Sequence, residues 1–103
     1  MKKPKLVRDK IPELIEKDSL LPIFHIADDE EYWQKLKEKL LEEVNEFIEE
    51  ENVEELADIL EVINAICEFL KVDISHLESI RKRKRVERGG FEKRIVLKEV
   101  RKV

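Results

Sequence analysis

From Asp28 to Leu70 the chain places apolar residues at helical spacing in two consecutive runs, each opened by its own start signal. Asp28 followed by Glu31 has the form of a capping box and leads a run through Glu50. Asn52 followed by Glu55 repeats the signal and leads a second run to about Leu70. Two long helices joined by so few residues must lie antiparallel, so the middle of the chain is a helical hairpin. Around it the expectations are shorter pieces. Pro4, Pro12 and Pro22 restrict the first 22 residues to extended segments and a short helix over Ile11–Lys17, with Pro12 in its first turn. Pro22–Ala27 reads as a short strand, and Arg94–Val100 as a second that could pair with it. Ser75 with Glu78 opens a third long helix that should stop at Gly89-Gly90. The fold class is mainly α, an antiparallel helical bundle with a short two-stranded β element, in a single domain over residues 1–103.

Composition supports a folded domain and divides it electrically. The 103 residues are 42% hydrophobic and 45% charged, enough apolar material for a core when it is periodic. Residues 28–68 hold 16 acids and 3 bases, a net of −13, whereas residues 71–103 hold 12 bases and 5 acids, a net of +7. An acidic middle suits cations and a basic end suits phosphates, although charged solvent faces of one fold give the same tally. Cys67, the single cysteine, leaves no intramolecular disulfide or cysteine-based zinc cage and reads as a small core residue. His25 and His76 have no partner spacing for zinc. No apolar run is long enough for a bilayer, and no secretory stretch follows the Lys-rich start; the expected location is cytoplasmic, without membrane association.

Some of the acids fall on the face that should be apolar. With Glu43 at zero and about 100° per residue, Tyr32, Trp33, Leu36, Leu40, Val44 and Phe47 span an arc from about −20° to about +100°. Glu43 lies inside that arc, and Lys39, Glu46 and Glu50 border it. In the next helix Glu55 falls among Ile59, Val62, Ile66 and Phe69, with Asp58 at the edge of the same face. An unpaired buried carboxylate costs several kcal/mol or takes up a proton, so inward acids call for a cation. Glu43/Glu46 and Glu55/Asp58 are i,i+3 pairs on one helix surface each, and two facing pairs supply hard oxygen ligands of the kind that suit magnesium or manganese. A single E-x-x-E is commonly a solvated face, and Glu55 also serves as the capping partner of Asn52. What distinguishes this chain is two such pairs on successive helices, both facing inward.

Glu42-Glu43-Val44-Asn45-Glu46 followed by Glu55-Leu56-Ala57-Asp58 resembles the E-E-x-x-E then E-x-x-D signature of the MazG-like all-α nucleoside triphosphate pyrophosphohydrolases, the superfamily that includes phosphoribosyl-ATP pyrophosphohydrolase. The likeness is best over residues 29–88, and the opening LVRDKIPELIEK also resembles small stand-alone members. Phe47–Glu54 is a shorter connection than many relatives have, a departure that bears on the substrate pocket more than on the metal site.

The resemblance implies magnesium-dependent (or manganese-dependent) hydrolysis of a nucleoside triphosphate to the monophosphate and pyrophosphate, an activity suited to nucleotide-pool house-cleaning, on a dimeric or tetrameric helical scaffold. It implies Glu43, Glu46, Glu55 and Asp58 as metal ligands and bases after the third long helix as phosphate contacts, for which Lys84, Arg85 and Arg88 are the candidates. Lys39, one turn before Glu43, could meet a phosphate or simply pair with Glu43. Glu42 is the candidate to orient or deprotonate the attacking water. Tyr32 and Trp33 read as core or interface aromatics before they read as a base-stacking platform. Two other classes fit parts of the chain. A catalytically silent helical oligomer would pair its inward acids with bases, and a nucleic-acid-binding module would use Arg81–Arg85, Lys93 and Arg94. The net charge of −4 and the lack of interleaved aromatics weigh against nucleic acid.

Overall fold

The computed structural model describes residues 3–103, which form four helices and no strand. Helix α1 spans Ile11–Lys17, α2 Asp29–Glu50, α3 Val53–Phe69 and α4 Ile74–Arg88. The chain divides into two compact units, one ending at Lys71 and one beginning at Val72.

In the first unit, local chemistry sets the helix ends. Asp28 accepts the Glu31 backbone N–H at 2.9 Å, and Asn52 accepts that of Glu55 at 3.1 Å, so each long helix begins on a side-chain cap. Acids crowd both first turns, where the helix dipole favours them. Between the helices only Glu51 and Asn52 intervene. Glu51 takes a left-handed conformation (φ 51°) while its N–H bonds to the Phe47 carbonyl, and this lets the chain reverse at once.

The reversal makes α2 and α3 antiparallel, as their side chains show. Tyr32 and Trp33, at the start of α2, meet Phe69 at the end of α3. Trp33 stacks on Phe69 with ring centroids 5.1 Å apart, and Tyr32 meets it edge-on at 5.7 Å. Leu36, at 1% exposure, is the most deeply buried apolar side chain, joined by Val62 and Cys67 in a small core. The apolar arc of α2 is accordingly turned inward, while Leu41 and Ile48 on α2 and Leu56 and Leu60 on α3 remain exposed.

The expected β element is absent among the described residues. Ile23, Phe24 and Ile26 are exposed, as are Ile95, Val96, Leu97 and Val100. Two isolated strands without a third or a covering helix are marginal in water. The 22–27 segment instead engages α2 and the N-terminal segment: His25 Nε2 hydrogen-bonds with Glu31 at 2.8 Å, and Phe24–Ala27 help line a cleft of about 420 Å³ with Pro4, Leu6 and Tyr32.

In the second unit, α4 starts two residues earlier than its Ser75–Glu78 signal suggests. Asp73 is the N-cap residue, without a side-chain cap bond, and the His76 N–H bonds to its carbonyl. The helix does stop at Gly89, whose φ of 85° is a conformation that glycine adopts without a Cβ clash. Arg85 and Arg88 sit in the last turn, where the dipole favours cations. No helix among the described residues is long and apolar enough to cross a membrane.

Candidate metal centre

Because the hairpin is antiparallel, the later turns of α2 lie beside the first turns of α3. This brings Glu43, Glu55 and Asp58 together, with one carboxylate oxygen from each within 4.8 Å of the others. Glu43 is only 6% exposed, and its Oε2 is buried without a hydrogen-bond partner. Glu55 Oε2 is buried and unpartnered in the same way. Two orphaned carboxylate oxygens beside a third carboxylate are costly unless a cation or protons join them.

The cations already present meet only part of that demand. Lys39 Nζ lies 3.1 Å from Glu43 Oε1 and 3.3 Å from Glu42, so the intrahelical pair read from the spacing is formed. Arg8 Nη2 donates to Asp58 Oδ1 at 2.7 Å. Lys5 bonds to Glu42 at 3.1 Å and Lys35 to the Pro4 carbonyl at 2.9 Å, so the N-terminal segment is strapped along the same side of the hairpin. Segment and helices together enclose a cleft of about 440 Å³ whose wall includes Arg8, Lys10, Tyr32, Lys39, Glu43 and Asp58.

Burial pushes the Glu43 carboxyl above the usual carboxylate range; Lys39 opposes the rise and the nearby Glu46 adds to it. Glu42 goes the other way. Burial alone would raise it, but Lys5 and Lys39 together hold it below the ordinary value. Lys39 is held above its ordinary value, since Glu43 and Glu42 outweigh the effect of its burial. Burial also raises Tyr32, with Glu68 and Asp9 adding their charge.

Of the four ligands implied by the family resemblance, three converge, while Glu46 stands beside Glu43 outside the three-carboxylate group. Glu42 is turned to its lysine partners. The cleft is built from residues of the first unit, and Lys84, Arg85 and Arg88 belong to α4 in the second, where all three are exposed and Arg85 pairs with Glu92. Sequence reasoning gave no role to Arg8 or Lys5. The signal was a run of bases, Lys2 to Lys10, ahead of a strongly acidic block.

No family model matches the chain. No solved structure matches it either. A protein of Mycolicibacterium smegmatis described as uncharacterized is 51% identical to it over 41 residues, 40% of this chain and 42% of that protein. The match thus spans less than half of either chain, and the relative's description carries no activity.

Proposed function

We propose that the protein is a divalent-cation-dependent nucleoside triphosphate pyrophosphohydrolase of the MazG-like type, with Glu43, Glu55 and Asp58 as the primary ligands and Glu46 completing the set. The observation that carries this is the pair of buried, unpartnered oxygens on Glu43 and Glu55, two residues that each bring a carboxylate oxygen within 4.8 Å of the other's and of one from Asp58. Three carboxylates without histidine or thiolate form a hard-oxygen donor set, which fits magnesium or manganese. A cation held there would supply positive charge to the phosphate oxygens and acidify a nearby water.

The chain's own residues do the rest. Arg8, Lys10 and Lys39 are the bases of a cleft wall that also carries Asp9, Glu43, Asp58, Glu61 and Glu68, so a polyphosphate would need the divalent cation to offset the acids before these bases could hold it. Glu42, kept ionised by Lys5 and Lys39, lines a neighbouring hollow and not this cleft, so it would accept the water's proton only on turning from its lysines, and its lowered pKa makes it a weak base. The water oxygen bonds to the α phosphorus, the bond from that phosphorus to the bridging oxygen breaks, and pyrophosphate departs with the electron pair.

The same reading carries self-association. Leu41 (62% exposed) and Ile48 are seven residues apart on α2, Leu56 and Leu60 four apart on α3, and a three-residue apolar core is slight for a hairpin of this length. A second copy of the chain is the occupant proposed for these faces, giving a dimer or tetramer. A monomeric mass at micromolar concentration would contradict it.

An ion-paired scaffold without catalysis is the second reading, favoured by the Arg8–Asp58 and Lys39–Glu43 pairs. It leaves the two orphaned oxygens unexplained. Pyrophosphate release from a panel of normal and damaged nucleoside triphosphates, with magnesium and with chelator, separates the two. Magnesium-dependent release of pyrophosphate and monophosphate is the expected result, and no turnover of any nucleotide in either condition would leave the scaffold.

A further inference from the structure

Arg8 stands where two cations would compete. Its guanidinium donates through one nitrogen to Asp58 at 2.7 Å and has no other hydrogen-bond partner among the described residues. Arg8 is 57% exposed at its side chain and Asp58 38%, and an ion pair so open to water is held weakly. Lys39, the other base close to the carboxylates, is engaged by both Glu42 and Glu43 and largely covered. Of the two bases paired with the carboxylates, Arg8 is therefore the more easily freed, and unlike the ammonium of Lys10 its planar fork can grip a phosphate through two parallel bonds.

We propose that Arg8 is a phosphate-binding residue of the substrate site, parked on Asp58 until a divalent cation claims that carboxylate. This rests on the metal-dependent triphosphate reading given above. With no phosphate present, Arg8 competes with the metal for Asp58. Once metal is bound, the released guanidinium faces the cleft and holds the polyphosphate chain. Metal and polyphosphate then favour each other's binding, and by linkage the coupling is reciprocal.

The test is calorimetric and needs no turnover. Manganese alone is titrated into the parent, Arg8→Ala and Arg8→Lys, and inorganic triphosphate is then titrated into each at saturating manganese. Removing a weakly held competitor should tighten manganese binding to Arg8→Ala by about two- to fivefold. Loss of a charge-assisted phosphate contact should weaken triphosphate binding by about tenfold or more, and Arg8→Lys, which keeps charge without the fork, should recover part of it. Manganese binding that weakens in Arg8→Ala would mark Arg8 as a structural strut and overturn the proposal, as would triphosphate affinity equal to the parent's. A parent that binds neither probe overturns this proposal together with the function it rests on, whereas a parent that binds both, with Arg8→Ala indistinguishable from it, overturns the role of Arg8 alone.

Discussion

The α2–α3 hairpin and the segment from Arg81 onward are both dense in charge, yet they treat it differently. In the hairpin Glu43 is buried and Glu55 and Asp58 are partly covered, with two oxygens unpartnered. From Arg81 to the end every residue is exposed, and the bases pair with neighbours such as Glu78 and Glu92 or face solvent. Exposed charge is nearly free, because water solvates it, whereas covered charge must be offset by a specific partner. The contrast therefore leaves the acids of the hairpin, and not the larger basic cluster, as the charges that still call for a partner.

Changing the two regions should produce effects of very different size. The largest is expected for Glu55→Gln, which keeps the shape of the side chain and removes one ligand charge. It should lower magnesium-dependent turnover by about 10²- to 10³-fold, measured as pyrophosphate release, because a charge that organises the transition state is lost. In chelator the same variant should melt no lower than the parent, since relieving carboxylate crowding costs the fold nothing. A variant that lost stability in chelator would place Glu55 in a structural ion pair and erase the contrast.

An intermediate effect should appear as a pH dependence in chelator. The Glu43 carboxyl is raised by burial, so its unfolded form ionises first as pH rises. Below the ordinary carboxylate value it is protonated in both states and costs nothing. Through the window between that value and its raised one the folded state holds the extra proton, and stability falls with rising pH. The parent's stability relative to Glu43→Gln should decline across that window and then level off. A difference that stays flat or rises with pH would mean that Lys39 already satisfies Glu43.

The smallest effect belongs to α4. Arg83 is exposed and lies 4.0 Å from Glu87, the outer limit of an ion pair, so Arg83→Ala should leave the melting temperature and the metal affinity unchanged within error. A loss of metal affinity there would assign the basic segment a share of the site.

How much of this was legible depended on how local the cause was. The caps Asp28 and Asn52, the α1 start at Pro12 and the stop at Gly89 are each decided within about one helical turn, and the residues announce them. The inward acids were legible for a related reason: the 3.6-residue period fixes which side of a helix a residue takes once the apolar side is known. The β element was misread because alternation is only half of a strand, and Pro22–Ala27 found its partners in Glu31 and the N-terminal segment instead of in a ladder. The start of α4 was misread because Asp73 and Ser75 both offer a start two residues apart. The pairing of Arg8 with Asp58 joins residues 50 apart, and no local rule could select Arg8 over the other bases around it.

The most direct measurement is the location of manganese by its anomalous scattering in crystals grown with millimolar manganese. One peak or more should lie roughly 2.1 Å from carboxylate oxygens of Glu43, Glu55 and Asp58, with Arg8 withdrawn from Asp58. Crystals with no such peak, with Arg8 still bonded to Asp58 and the Glu43 and Glu55 oxygens joined by a shared proton or by a base, would contradict the assignment of a metal centre.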